Sequence, residues 1–431
     1  MRKAVVLGAY GFIGAACVRS LQSAGYEITA VGRSKNAALR AFPDLSWAIE
    51  DIATCSVERW KTIFQDADVV VNASGALQDG ARDDLKAIHE TAVERILKAL
   101  TETPTRLVQI SAAGVSLDAP TDFFRTKAKG DLLVSDSGID WIVLRPVLVL
   151  GAEAYGGTAL LRAVAALPVV EAKVFPGTPV QTVHVDDVAK AVVQAAEGRF
   201  GSRFVADLTE VEQYSFHNLT VRIRSWLGFP PWCMAVTIPE VIVSLTGKGA
   251  DALGWLGWRS PFRTNALVSL QSGIRGDATA WNERGGFPMK SLDETLQHLP
   301  GSAQERAFAR LYLLLPLAIA CLSVFWGLSG LIGLASFEAA KAVLTDRGMP
   351  SGFAKTAVSI GAVADLLLAL TVLWRPWTRR ACLGMIAVSL AYLLGATAWA
   401  PSLWADPLGP LVKVFPAMVL AVFVAMLVET R

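Results

Sequence analysis

Four apolar runs toward the C-terminal end constrain this chain more than any other feature. Residues 311–334 carry no charge, residues 356–374 only Asp365, residues 381–404 none, and residues 407–428 only Lys413. Each run is long enough to cross a bilayer as a helix. A helix buried in a water-soluble core is rarely so uniformly apolar, and four in succession leave little room for that alternative. The chain is 53% hydrophobic and 18% charged, and the apolar excess lies at this end. A four-helix transmembrane bundle over residues 306–431 is therefore expected, preceded by a water-facing part.

That part opens on Ala4-Val5-Val6-Leu7, then Gly8-Ala9-Tyr10-Gly11-Phe12-Ile13-Gly14, then an alanine-rich helical pattern. Strand, glycine turn and helix form the context of a dinucleotide site. Gly8 permits the tight turn, Gly11 lets backbone approach a pyrophosphate, and Gly14 lets the helix lie close on the strand. The helix N-terminus offers N–H groups to phosphate. Tyr10, Phe12 and Ile13 join the glycines as expected cofactor contacts. The spacing is GxxGxxG rather than GxGxxG, and a glycine turn without a ligand is the weaker alternative. A strand at the start of the chain leaves no signal peptide to expect.

Residues 27–32 read as a second strand, ending at Arg33-Ser34. An acidic residue there suits the ribose 2′-hydroxyl of NAD, whereas arginine suits a 2′-phosphate, so NADPH is expected over NADH. Residues 45–50 form a third strand ending at Asp51, which either accepts from the adenine amino group or caps the next helix. A fourth strand runs into Ala73-Ser74-Gly75, small enough for the cofactor ribose to approach backbone. Residues 83–100 have helical periodicity, and residues 107–111 form a fifth strand ending at Ser111. This alternation means a doubly wound, parallel α/β sheet of the Rossmann type over residues 1–210, with ligands at the carboxyl ends of its strands. A strand at 204–208 and a helix at 216–227 introduce a small α+β lobe, residues 211–305, with residues 288–309 as a polar connector.

Taken together, GxxGxxG, Val31-Gly32-Arg33, Asp51-Ile52, Asn72-Ala73-Ser74-Gly75 and Ile110-Ser111-Ala112 resemble the short-chain dehydrogenase/reductase superfamily. Phe123 to Asp131 resembles its active-site helix. Arg145-Pro146 and His184-Val185-Asp186-Asp187 resemble the atypical NAD(P)-binding branch, to which the nucleotide-binding accessory subunit of respiratory complex I is similar. The resemblance covers roughly residues 1–300. It implies that Lys127 binds the nicotinamide ribose and that Ser111 orients a substrate, the two candidate catalytic residues. It also exposes a departure: the family pattern is Tyr-x-x-x-Lys, and Phe123 stands where the tyrosine belongs. Phenylalanine cannot exchange a proton with a carbonyl or alcohol. The cofactor site is thus expected intact and the usual acid/base absent, which leaves open whether the chain is an enzyme. Residues 152–177 are expected to edge a substrate cleft, with Asp187 and His184 in capping and packing roles.

Arginine placement orients the spans. Arg306, Arg310, Arg375, Arg379, Arg380 and Arg431 fall on the side of the nucleotide domain, which puts both termini in the cytosol. Asp365 and Lys413, both within spans, could pair across the bundle or line a polar cavity. Trp326-Gly327-Leu328-Ser329-Gly330 supplies small residues for close helix packing. Residues 253–259, with Trp255 and Trp258, either meet the bilayer or membrane helices or form an ordinary patch in the lobe. The runs around Phe325, Asp365 and Asp406-Pro407 resemble DoxX-like membrane domains, whose fusion to an atypical reductase implies a bacterial inner membrane protein. Scattered cysteines and histidines predict no metal site, and a net charge of +2 points to no nucleic acid. Two functions follow. One is an oxidoreductase for an apolar or quinone-like substrate. The other is a non-catalytic NADPH-binding module of a respiratory-type membrane assembly.

Overall fold

The computed structural model describes residues 1–80, 83–258, 260, 262–407 and 409–428. They divide into two compact units, Met1–Ala252 with Ser260–Ala309, and Leu253–Arg259 with Arg310–Arg431.

In the first unit seven strands form one parallel sheet: β1 Arg2–Leu7, β2 Tyr26–Gly32, β3 Ser46–Ile49, β4 Val69–Asn72, β5 Arg106–Ile110, β6 Trp141–Pro146 and β7 Phe204–Leu208. Their order is β7-β6-β5-β4-β1-β2-β3, so the direction of winding reverses between β1 and β4. Helices α1 Phe12–Ser23, α2 Lys35–Ala41, α3 Val57–Phe64, α4 Ala92–Leu100, α5 Asp122–Ser135, α6 Gly157–Ala165 and α7 Val185–Ala196 intervene. Successive strand residues feed opposite faces. Val6, Ile28, Val71, Val108 and Leu144 pack with α1 and α7, whereas Val5, Leu7, Val70, Leu107 and Val143 pack with α3, α4 and α5. Burial on both faces explains why these strands read as continuous apolar runs rather than alternating ones. Each fully buried Val or Leu contributes about 1.5–3 kcal/mol.

The lobe packs Leu161 of α6 against Leu219, Ile223 and Leu227. Residues 288–309 are more than a connector. Helix Leu292–His298 is held by a capping box between Ser291 and Glu294, and Leu292, Leu296, Leu299 and Ala309 fill the lobe core. The apolar spacing in that segment is hidden among polar residues. Buried Glu210 accepts from Thr182 N (2.8 Å), Thr182 Oγ1 (2.6 Å) and Leu292 N (2.7 Å), tying segment to lobe.

Among the described residues, three helices are long and apolar enough to cross a membrane: Ala303–Ala335, which enters the second unit at Arg310, and Ser351–Thr371 and Thr378–Trp399 within it. A fourth, Val414–Val428, is apolar but shorter, and Pro407 and Pro410 explain why it starts late. Leu317, Leu370 and Leu394 lie exposed, the arrangement of helices facing lipid rather than water. A Cβ on Gly330 would meet Ala362 O at 2.8 Å, so the small residues of the first span do permit close packing. A short helix between the first two spans, Phe337–Thr345, lies outside the sequence expectation.

The expected pairing of Asp365 with Lys413 is not made. Asp365 is 3% exposed and accepts from Ser329 Oγ (2.7 Å) and Tyr392 OH (3.1 Å). Lys413 stands exposed in the turn before the fourth helix, because the two prolines keep it out of the span. Residues 253–258 belong with the membrane helices: Trp258 Nε1 donates to Leu373 O (2.6 Å) and Arg375 N to Leu256 O (3.1 Å). Arg259 and Arg431 lie outside the described residues.

Candidate cofactor site

The site is built where the sheet changes direction, at the carboxyl ends of β1 and β4. After β1, Gly8 N and Ala9 N both donate to Val31 O, at 3.0 and 3.1 Å, which folds the turn back onto β2. Gly8 has φ +74°, and a Cβ there would come within 3.0 Å of Ala73 O. A Cβ on Gly14 would stand 2.2 Å from Gly8 O. The turn and α1 are thus in backbone contact, as only glycine allows. Gly11 is the N-cap of α1 and contributes no side-chain cap, so the first-turn N–H groups of Phe12, Ile13 and Gly14 remain for a ligand. This uncapped, side-chain-free cradle fits a dinucleotide pyrophosphate.

Side chains around the turn take unequal parts. Tyr10 lies over Gly32, whose Cβ would meet Tyr10 Cε1 at 2.3 Å, and packs near Trp47 at 6.0 Å. Phe12 turns away to stack with Tyr155 at 6.4 Å. Arg33, at the end of β2, donates to Asp83 Oδ1 at 2.8 Å, with Asp51 also near enough to act on its charge. Ser34 Oγ caps α2, accepting from Ala37 N at 3.3 Å. Asp51 does not cap α3, a task Ser56 performs; it accepts from Ala53 N at 3.0 Å. Ser74 donates its N–H to Asn72 Oδ1 at 3.2 Å, and Asn72 donates to Gln109 Oε1 at 2.9 Å, so a polar chain shapes Ala73-Ser74-Gly75.

Gly75 faces the second half of the site. A Cβ on it would lie 3.6 Å from His89 Nε2 and 3.8 Å from Lys127 Nζ. Lys127 is buried on α5 and donates to Ile110 O at 3.1 Å. Burial pulls its ammonium down to about 8, against the opposing charge of Asp131. Phe123 lies one turn earlier, with the Lys127 ammonium 5.8 Å from its ring. His89 comes from a single π-turn, Ala87–Thr91, which leads into α4. Ala76 N donates to its Nε2 at 3.4 Å, Nδ1 lies 2.9 Å from Thr126 Oγ1, and Thr126 Oγ1 donates to Asp122 O at 2.8 Å. That chain assigns the proton to Nδ1. Burial, then Lys127, hold the imidazole neutral, with its pKa down to about 2.

Ser111 points elsewhere. Its hydroxyl donates to Asp131 Oδ2 at 2.8 Å, which also accepts from Arg145 Nε at 2.9 Å. Burial raises the Asp131 carboxyl, while Arg145 and Ser111 pull it down. Ser111 is thereby engaged in joining β5, α5 and β6. At the start of α7, His184 Nδ1 accepts from Asp186 N at 3.1 Å, and Asp187 accepts from Lys290 N at 2.9 Å. Both have structural partners. Sequence reasoning missed His89, Thr126 and Asp131. A lone histidine in a helical pattern carries no spacing signal, and Asp131 was visible only as the end of the stretch Phe123 to Asp131, inside α5.

Residues 8–199 match a family described as NAD(P)H-binding, and residues 323–422 match the DoxX-like family. The chain thus carries a segment similar to the NAD(P)H-binding family followed by one similar to the DoxX-like family. Over 251 residues the chain is similar, at 24% identity, to the chloroplast stem-loop binding protein of 41 kDa b from Arabidopsis thaliana. The match covers 53% of the chain and 64% of that relative, so it spans less than two thirds of the relative's length. Among solved structures, UDP-glucose 4-epimerase from Thermotoga maritima superposes with a TM-score of 0.52 at 17% identity, over 72% of this chain and 99% of that one. The Bordetella bronchiseptica enzyme WbmH, in complex with NAD+, gives 0.51 at 16%, over 69% and 97%. At such identities the likeness is one of fold.

Proposed function

We propose that this reductase–DoxX fusion is a membrane-anchored, NADPH-dependent oxidoreductase acting on an apolar, quinone-like substrate. The observation that carries the reading is an uncapped glycine turn at the carboxyl ends of the strands, together with a buried lysine and a phenylalanine in place of the family tyrosine. Gly8, Gly11, Gly14 and the first turn of α1 would hold the pyrophosphate. Ala73, Ser74 and Gly75 would flank the ribose next to Lys127, and Arg33 with Ser34 would meet the 2′-phosphate. The bound nucleotide supplies a hydride. Phe123 presents no hydroxyl, which disfavours simple ketone, aldehyde or alcohol substrates and suits an acceptor, such as a quinone, whose reduction needs no tyrosine. Reduction of a quinone to its quinol consumes one hydride and one proton, and Lys127 holds an exchangeable proton beside the Phe123 ring. Arg306, Arg310, Arg375, Arg379 and Arg380 support an orientation with the nucleotide domain in the cytosol, where NADPH is found, and the DoxX-like resemblance favours a bacterial inner membrane.

Phe123 also favours a second reading, a non-catalytic NADPH-binding module within a membrane assembly. The two separate in one experiment on the detergent-purified full chain, with NADPH fluorescence for binding and its absorbance for turnover with a short-chain quinone. Steady consumption supports the oxidoreductase. Binding without consumption supports the module. Arg33→Ala is expected to weaken NADPH, and not NADH, by about tenfold or more, the worth of one charge-assisted hydrogen bond. Failure to bind either nucleotide overturns both readings.

A further inference from the structure

Helix Glu240–Trp255 has two opposite faces, and the unexpected one looks outward. Val243, Gly247, Ala250 and Gly254 recur at helical spacing and are buried. Gly247 lets the neighbouring helix Thr264–Gln271 come close, since a Cβ there would lie 3.1 Å from Leu267 Cδ1. About half a turn away lie Val241, Leu245, Lys248, Ala252 and Trp255. A helix packed on a water-soluble domain carries polar residues on that side. Here Val241 is 70% exposed, Leu245 63% and Trp255 70%, with Ile242 beside them at 53%. The preceding strand, Met234–Thr237, adds exposed Met234 and Val236.

What covers this face is indicated by where the helix leads. Its last residues pass into Leu256-Gly257-Trp258, which belong to the membrane unit. There Trp258 Nε1 is bound to Leu373 O, and Leu256 O accepts from Arg375 N, in the turn between the second and third membrane helices. That turn carries Trp374, Trp377, Arg379 and Arg380, the residue types that gather where hydrocarbon meets head groups. The helix therefore runs in sequence into the membrane unit with an apolar stripe still uncovered.

We propose that helix Glu240–Trp255 is an interfacial helix, seated in the boundary between lipid head groups and acyl chains. Val241, Leu245 and Trp255 enter the acyl layer, and Lys248, on the same face, extends its ammonium to lipid phosphate. Between this helix and Thr264–Gln271 runs a groove of 460 Å³, lined by Val241, Leu245, Leu267 and Val268, into which an acyl chain can fold. The lipid surface is the occupant because the chain is continuous with membrane helices and because lysine and tryptophan border the apolar stripe. The proposal goes beyond the nucleotide chemistry and does not depend on turnover.

The test places an environment-sensitive fluorophore on Leu245→Cys in the full chain, with Cys233→Ser and Cys321→Ser removing the exposed thiols. The protein is reconstituted in nanodiscs of phosphatidylethanolamine and phosphatidylglycerol, with and without brominated acyl chains. Leu394→Cys on the third membrane helix and Glu58→Cys on α3 serve as the lipid and water references. Quenching at Leu245 is expected several-fold above that at Glu58 and close to that at Leu394. Quenching no greater than at Glu58 overturns the proposal, whether the emission is that of water or of a protein-covered site such as a second copy of this chain. Val241→Cys repeats the measurement should the first label disturb folding.

Discussion

Gly14→Ala tests the cradle at its tightest point. Ordinary contact begins near 3.4 Å, and the new Cβ would stand 2.2 Å from Gly8 O and 2.9 Å from Gly8 C. Both atoms are backbone, so no side chain can swing aside. Either α1 or the turn must retreat by about 1.2 Å in an interior packed too densely to absorb it, at a cost of about 1–3 kcal/mol in stability. A first-turn N–H held near 2.9 Å from a phosphate oxygen would then lie about 4 Å away, beyond hydrogen-bond reach. Losing one charge-assisted bond costs about 1.5–3 kcal/mol, or about 10- to 160-fold in Kd. NADPH titration of the detergent-purified chain, followed by nucleotide fluorescence, measures this directly. Gly138→Ala is the control, because a Cβ there meets nothing within 4 Å. Circular dichroism separates lost binding from lost folding. A Gly14→Ala protein that binds NADPH like the parent, with the same melting temperature, would refute the cradle.

Two further outcomes concern the buried charges. Lys127 is pulled from 10.5 to about 8, chiefly by burial. Between those values the unfolded chain holds a proton that the folded one has released. Nucleotide-free stability should therefore rise with pH from about 8 to 10.5, by about 1.4 kcal/mol for every pH step of one across that window. Lys127→Met should flatten that rise and melt higher at pH 7; parallel profiles for the two proteins would contradict the placement of Lys127. In the membrane unit, Asp365→Ala removes both interhelical hydrogen bonds and should cost about 1–3 kcal/mol, measured as unfolding in mixed detergent. Lys413→Ala should cost nothing measurable, and an equal loss would revive the ion pair that the structure does not contain.

The division into a nucleotide-binding part and membrane helices was legible in the amino-acid sequence alone. Local rules suffice for both: a glycine turn has few uses between a strand and a helix, and a charge-free run of membrane length has few places to go. The parallel sheet followed from the same logic, because strands buried on both faces announce themselves as apolar runs. The late start of the fourth membrane helix needed attention to Pro407 and Pro410 rather than to average hydropathy. The partners of polar groups, in contrast, came from the folded chain. Arg33 meets Asp83 fifty residues on, Ser111 is drawn to Asp131, His89 bridges Ala76 and Thr126, and Asp365 finds Ser329 and Tyr392 instead of Lys413. Hydrogen bonds act over about 3 Å and are set by which elements the fold brings together, so spacing along the chain cannot name them. The outward apolar face of Glu240–Trp255 is of the same kind, because only the packed structure tells which side of an apolar helix the protein leaves uncovered.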